Sequence, residues 1–142
     1  MKKILLIAFI LVLTISCNKD GANNDNPYLP NYAFNVEINR NLPLYSDLNF
    51  AGMPVMVNIT GAGIRGLIVM YTGSGVVAFD AACPNQDLSA CSTLTLDGIE
   101  AECPCDGNHR YNLFTGQSTT GLPYPLKQYR TELNGNIIRV YN

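Results

Sequence analysis

The chain has 142 residues, with nine basic and eleven acidic side chains, a formal net charge of −2, five cysteines and a single histidine. This length suits one domain with a real hydrophobic core. Without a cluster of Lys and Arg, the slightly acidic balance argues against nucleic-acid binding, because phosphate contacts need concentrated positive charge. A single histidine leaves no credible Ser-His-Asp or Cys-His catalytic arrangement. We therefore do not expect an enzyme.

The first sixteen residues are typical of an export signal. Lys2 and Lys3 form a positively charged start, residues 4–15 form an apolar run, and Ser16 supplies a small residue before a cleavage site. The run is shorter than the roughly 20 residues that a membrane-spanning helix needs. We therefore predict that residues 1–16 are a signal peptide.

The residue after this signal is Cys17, in the stretch LTISC. This stretch resembles the lipobox of bacterial lipoproteins, although Thr14 stands where that family prefers leucine. The resemblance implies that Cys17 is acylated and becomes the new N-terminus, so that lipid alone would anchor the chain to a membrane. The expected location is the cell envelope, facing either the periplasm or the outside of the outer membrane.

The next segment, NKDGANNDNPYLP at residues 18–30, is polar and rich in Asn, Gly and Pro. A segment of this composition rarely buries enough apolar surface to offset the entropy lost when it becomes ordered. Residues 17–30 are therefore predicted to be the lipidated cysteine and a flexible tether. The folded domain is expected to cover residues 31–142. No internal repeat or second change of composition suggests a further domain.

The rest of the chain has the pattern of short strands separated by turns. Four segments alternate apolar and polar residues or are rich in β-branched and aromatic residues. They are AFNVEI (33–38), PVMVNIT (54–60), GLIVMYT (66–72) and VVAFD (76–80). Asp97-Gly98 and Asn134-Gly135 predict two tight hairpins, because both pairs tolerate positive φ angles. No window longer than ten residues after the signal shows a convincing helical period. The chain is therefore predicted to be an antiparallel all-β domain of sandwich or small-barrel type.

Four cysteines lie in two short segments that follow predicted strands. Over residues 76–142 the order AFDAACPN, hairpin, ECPCDG, YNLFTGQ, GLPYPL and a final hairpin resembles the Rieske family of [2Fe–2S] proteins. Together with the lipobox, it is similar to the Rieske-like lipoproteins of Bacteroidota. The resemblance implies a Rieske-like fold over residues 31–142, with a two-loop cysteine subdomain at about residues 80–125. It also implies that GLPYPL covers the tip formed by the two loops.

The chain departs from the family at the cluster ligands. The family pattern is Cys-x-His in the first loop and Cys-x-x-His in the second, because two thiolates hold one iron and two imidazoles the other. Its positions fall on Cys83, Asn85, Cys103 and Asp106. Asparagine and carboxylate are poor substitutes for imidazole there. The only histidine, His109, could restore at most half of the pair, and we expect it to be a solvent-facing loop residue. We therefore expect neither a Rieske cluster nor another bound metal.

The resemblance also implies a disulfide pairing. Some family members carry two further cysteines that link the loops, and Cys105 matches one of them while Cys91 is the candidate partner. Cys83 and Cys103 would then bond to each other in an oxidising compartment. Four cysteines permit three pairings, and the family pattern favours Cys83–Cys103 with Cys91–Cys105.

These observations favour a non-catalytic structural, accessory or binding module at the cell envelope. Two alternatives remain open. One is an electron-transfer protein whose [2Fe–2S] cluster has non-standard ligands, and the other is a metal site with four cysteine ligands, although the spacing matches neither common zinc sites nor ferredoxins. The sequence identifies no small-molecule or protein partner.

Overall fold

The structure is a computed structural model that describes residues 26–142. The predicted signal peptide at residues 1–16, the lipidation site at Cys17 and the first part of the predicted tether lie outside the described residues, and they stay predictions. Within the described part, no helix is long and apolar enough to cross a membrane.

The described chain forms nine strands and one short 3-10 helix, so the all-β prediction is confirmed. The helix is Pro43–Asn49. The strands are β1 (Asn35–Asn39), β2 (Pro54–Val57), β3 (Leu67–Tyr71), β4 (Val76–Asp80), β5 (Thr95–Asp97), β6 (Glu100–Glu102), β7 (Arg110–Asn112), β8 (Gln128–Asn134) and β9 (Ile137–Tyr141). Six strands form one sheet in the order β1-β9-β8-β4-β3-β2, and three form a second in the order β5-β6-β7. Every pair of neighbouring strands is antiparallel.

Strand β3, which lies between β4 and β2, contributes side chains to both parts of the core. Its residues 67–70 are all buried. Leu67 and Val69 contribute to one hydrophobic cluster, whereas Ile68 and Met70 contribute to the other. Successive side chains of a strand point to opposite faces. An uninterrupted apolar run is therefore what a strand needs when both of its faces are covered.

Both predicted hairpins are present. Each turn lies one residue later than predicted, since Asp97 pairs with Glu100 and Asn134 with Ile137. Gly98-Ile99 joins β5 to β6, and Gly135-Asn136 joins β8 to β9. Gly98 has a φ of 60° and Gly135 a φ of 59°. This left-handed conformation costs glycine little, because glycine lacks a Cβ atom. The hairpin β5-β6 carries the second cysteine segment, so the first of these turns positions the site.

The packed chain begins before the predicted boundary at Asn31. Leu29 is only 2% exposed, and the Asn26 side-chain amide donates to the backbone carbonyl of Pro84 over 2.8 Å. The ring of Tyr28 also meets the ring of Tyr124 edge to face, with centroids 5.9 Å apart. Residues 26–30 therefore belong to the folded unit and correct the end of the predicted tether. The prediction failed because one buried leucine gives almost no signal within a polar segment.

The 3-10 helix was not predicted. At seven residues it is too short to show a helical period, and it begins at Pro43, whose fixed φ suits a helix start. It buries Leu48 completely in the cluster that contains Val69. The strand predicted for residues 54–60 ends earlier, at Val57, because Ile59 enters a turn in which its carbonyl accepts a hydrogen bond from the Ala62 backbone.

Candidate functional site

Three connecting segments converge beside the three-stranded sheet. The first cysteine loop (residues 81–94) joins β4 to β5, the second cysteine loop (103–109) joins β6 to β7, and the proline loop (121–126) precedes β8. Backbone hydrogen bonds close both cysteine loops: the Cys83 amide donates to the Ser92 carbonyl, and the Cys103 amide to the His109 carbonyl, each over 3.0 Å. Both cysteines therefore occupy fixed positions at the bases of their loops.

A buried aspartate fixes the point where β4 enters the first cysteine loop. The Asp80 carboxylate is completely buried and accepts hydrogen bonds from the Ala82 amide and the Tyr129 hydroxyl, both at 2.7 Å. It also accepts from the backbone amides of Ile64 and Arg65. Burial, followed by the nearby Asp80 charge, raises the pKa of Tyr129 far above its ordinary value, so this hydroxyl remains a donor.

Cys83 and Cys103 form a disulfide, which we call the inner disulfide. Their sulfurs are 2.11 Å apart and their Cα atoms 5.7 Å apart. Neither residue is exposed, and both belong to the cluster that contains Phe79, Leu113 and Leu126. The two positions at which the family pattern places thiolate ligands are thus bonded to each other in the core.

Cys91 and Cys105 form the second bond, the outer disulfide, with an S–S distance of 2.07 Å and a Cα–Cα distance of 5.2 Å. Cys91 is exposed and Cys105 is half-buried. The pairing in the structure is the one that the resemblance implies. The two bonds share the segment Cys103-Pro104-Cys105, and together they cross-link the first and second cysteine loops twice.

Gln86 contacts both disulfides. Its side-chain N–H donates to the Cys105 sulfur over 2.8 Å, and its carbonyl oxygen lies 3.4 Å from the Cys103 sulfur. The hydroxyl of Ser89 lies 3.4 Å from the Cys91 sulfur and 3.6 Å from the Cys105 sulfur. The outer disulfide therefore lies against two polar side chains, whereas the inner disulfide lies mainly among the apolar side chains of the core.

Asn85, at a family ligand position, is fully engaged with protein groups. Its side-chain nitrogen donates to the Tyr111 hydroxyl over 2.8 Å and to the Tyr124 carbonyl over 2.7 Å. Its side-chain oxygen accepts from the Tyr124 amide over 3.0 Å. Burial raises the pKa of Tyr111, and the hydrogen bond from Asn85 opposes this shift. The amide links the first cysteine loop to β7 and to the proline loop.

The proline loop covers the site as expected. Asn85 holds Tyr124 by both backbone groups, and Leu126 packs in the same cluster as Cys83 and Cys103. Leu122 packs against that cluster from the edge. The inner disulfide is therefore shielded by this loop as well as by the sheets.

Asp106, the other altered ligand position, lies towards solvent. Its side chain is 51% exposed, and its carboxylate lies 3.6 Å from Nε2 of His109. It also accepts a hydrogen bond from the Asn108 amide over 3.1 Å. His109 is mostly buried rather than solvent-facing, and its Nδ1 atom has no partner among the described residues.

The donor set at these four positions does not fit a Rieske cluster. Such a cluster needs two free thiolates and two imidazoles. Here the two sulfurs share a bond, the Asn85 amide makes three hydrogen bonds to protein, and the fourth position is an exposed carboxylate. Nor do any three or more His, Cys, Asp or Glu residues within 26–142 have an arrangement that could hold a metal ion.

Sequence reasoning did not identify the polar groups that link the loops. Gln86 and Ser89 lie close to sulfur atoms of cysteines that are distant in sequence, and Tyr111 reaches Asn85 across 26 positions. No local pattern marks such partners. The only available signal was the position of Gln86 and Ser89 between two cysteines of one loop.

No protein-family model matches the chain, and no curated protein matches it either. Among solved structures, the chain is similar to a protein chain in the complex of reduced oxygenase and oxidized ferredoxin in carbazole 1,9a-dioxygenase. The two chains are 27% identical, the match covers 75% of this chain and 92% of that chain, and the TM-score is 0.51. It also matches the Sphingomonas yanoikuyae B1 ferredoxin, with 21% identity, coverage of 66% and 88%, and a TM-score of 0.45. A third match is the ferredoxin of carbazole 1,9a-dioxygenase from Nocardioides aromaticivorans IC177, with 22% identity, coverage of 66% and 90%, and a TM-score of 0.43. The strand arrangement and the first of these similarities show that the chain has a Rieske-like fold.

Proposed function

We propose that this chain is a lipid-anchored, extracytoplasmic domain of the envelope-lipoprotein type found in Bacteroidota, in which disulfides have replaced the iron–sulfur cluster. Its role is non-catalytic: it is a structural, accessory or binding module at the cell envelope. The observation that carries this proposal is the inner disulfide, since Cys83 and Cys103 occupy the two thiolate positions and are bonded to each other.

The environment of the altered ligands supports the proposal. An Asn85 amide with three protein hydrogen bonds has its donors and one acceptor lone pair already used. The polar groups of this pocket are thus satisfied by one another, as buried polar groups in stable proteins are. A domain arranged in this way needs no metal to hold its two cysteine loops together.

The first experiment tests the cluster. The protein is purified from the envelope fraction, and its iron, acid-labile sulfide, absorption spectrum and EPR signal are measured. We expect a colourless protein without stoichiometric iron or sulfide. A red-brown protein with a Rieske-type EPR signal would contradict the proposal and would support the electron-transfer alternative.

The second experiment tests the cysteines and the anchor. Intact-mass measurement after alkylation, with and without reduction, should show that Cys83, Cys91, Cys103 and Cys105 react only after reduction. Four cysteines that react without reduction would favour a metal site instead. In a fractionation experiment, Cys17→Ser should move the protein from the membrane to the soluble fraction and abolish acylation. Unchanged membrane association of this variant would refute the lipid anchor.

A further inference from the structure

The two disulfides differ in their access to solvent. Cys83 and Cys103 have no exposed surface, whereas Cys91 is exposed and Cys105 is half-buried. Thiol–disulfide exchange begins when a thiolate reaches a disulfide sulfur, so access decides which bond can react. An external thiolate can approach the Cys91 sulfur but not the sulfurs of the inner disulfide.

Hydrogen-bond donors surround the outer sulfurs. The Gln86 side-chain N–H lies 2.8 Å from the Cys105 sulfur, and the Ser89 hydroxyl lies within 3.6 Å of both outer sulfurs. Ser89 is fixed in place, because its backbone amide donates to the Ser92 hydroxyl over 2.8 Å and its carbonyl accepts from that hydroxyl over 2.9 Å. Hydrogen bonds to an ionised group favour its charged form. These donors would stabilise a thiolate on Cys105.

We propose that the outer disulfide, Cys91–Cys105, is a thiol–disulfide exchange site whose substrates are dithiols of the extracytoplasmic space. This activity goes beyond the structural role proposed above. It assigns Cys91 as the sulfur that is attacked, Cys105 as the leaving sulfur and Gln86 as the residue that stabilises the leaving thiolate.

The exchange moves one disulfide bond from the protein to the substrate. A thiolate of the dithiol attacks the Cys91 sulfur and forms a mixed disulfide, while the Cys91–Cys105 bond breaks and its electron pair stays on Cys105 as a thiolate beside Gln86. The second thiol of the substrate loses its proton and attacks the substrate sulfur of the mixed disulfide, which releases Cys91. The substrate loses two electrons and two protons and becomes a disulfide, and the protein gains both as two thiols.

The inner disulfide keeps the site in position during this reaction. It joins the bases of the same two loops, and Leu94, Leu113 and Leu126 lie with it in one buried cluster. Opening the outer bond therefore leaves the loops cross-linked once. The reduced pair stays close enough to re-form its bond, as a reversible exchange site requires.

The experiment follows the reduction of each bond in the purified full-length protein. Free thiols, including any unacylated Cys17, are first blocked with N-ethylmaleimide. The folded protein is then treated with dithiothreitol, sampled over time, quenched with iodoacetamide and analysed by peptide mapping. We expect Cys91 and Cys105 to be labelled together, at least about tenfold faster than Cys83 and Cys103. Equal rates for the two bonds, or early labelling of Cys83, would overturn the proposal.

A second arm tests the role of Gln86. Gln86→Glu keeps the shape of the side chain but replaces the N–H donor by a carboxylate, which repels a thiolate. Outer-bond reduction should slow about tenfold while inner-bond reduction is unchanged, and Ser89→Ala should slow it by a smaller factor. Gln117→Glu makes the same charge change at an exposed position between β7 and β8, outside both cysteine loops, and should have no effect. If Gln86→Glu and Gln117→Glu behave alike, Gln86 does not stabilise the leaving sulfur.

Discussion

Removing the inner disulfide should destabilise the domain more than removing the outer one. The comparison uses two double variants, Cys83→Ala with Cys103→Ala, and Cys91→Ala with Cys105→Ala. The bonds close loops with sequence separations of 20 and 14 residues. By the chain-entropy relation, each bond contributes about 3 kcal/mol to the free energy of unfolding. If loop length alone decided the outcome, the two variants would therefore be almost equally stable.

The burial of the inner cysteines makes the two variants differ in their free energy of unfolding. The inner cysteines have no exposed surface and lie in the core beside Phe79 and Leu126, whereas Cys91 is exposed. Deleting a buried atom group of methyl size costs about 0.5–1.5 kcal/mol, because packing contacts are lost and a cavity remains. Two buried sulfurs add about 1–3 kcal/mol, so the inner variant should lose about 5 kcal/mol and the outer variant about 3 kcal/mol.

Urea unfolding followed by far-UV circular dichroism measures the difference. With a urea m-value of about 2 kcal/mol/M, the midpoint should fall by about 1.5 M in the outer variant and about 2.5 M in the inner variant. Because domains of this size are often stable by only about 5–15 kcal/mol, the inner variant can be largely unfolded in water without conflict with the reasoning. An inner variant as stable as the outer one, or more stable, would refute it.

Three further predictions concern the polar groups around the loops. Asp80→Asn should lower the free energy of unfolding by about 2–4 kcal/mol in urea titrations, because an amide nitrogen cannot accept the hydrogen bonds that the buried carboxylate accepts from Tyr129 and from backbone amides. Asn85→Ala leaves the buried Tyr111 hydroxyl unpartnered and should lower the free energy of unfolding by about 1–3 kcal/mol. The control Asn108→Ala, on an exposed part of the second cysteine loop, should change it by less than about 0.5 kcal/mol. Similar losses of stability in both variants would contradict the role of Asn85. Burial raises the pKa values of Tyr111 and Tyr129. Above a pH of about 10 the unfolded chain therefore releases tyrosine protons that the folded chain keeps. The free energy of unfolding should be constant below that pH and decline as the pH rises above it. Urea midpoints that stay constant from about pH 9 to pH 11 would contradict this assignment.

The strands and hairpins could be predicted because their signals are local. The segment at Val76–Asp80 was predicted with the same bounds that the structure gives to β4. The two hairpin turns were located to within one residue, because Gly98 and Gly135 accept the positive φ that such turns need. Each of these features depends on the residues within the segment itself, and a single sequence contains all of that information.

The parts that failed depend on contacts between distant residues. Leu29 is buried by the fold rather than by its own polar segment, so the domain boundary at Asn31 was placed too late. His109 was expected to face solvent, but its ring is mostly covered. The sequence around Gln86 does not indicate its contact, because its partner, the Cys105 sulfur, is 19 positions away in sequence. Only the three-dimensional arrangement of the loops brings these partners together.

Asn85 shows how the proposed loss of metal ligation is compatible with retention of the fold. A neutral imidazole has one donor and one acceptor, whereas the Asn85 amide offers two donors and an acceptor, all of which are used. An imidazole at this position could not make the same three bonds to Tyr111 and to both backbone groups of Tyr124. The amide therefore links the first cysteine loop to the proline loop without a metal, and the inner disulfide supplies the remaining cross-link in the core. Because neither of these two links involves Cys91 or Cys105, the outer disulfide can open while the architecture around it stays in place.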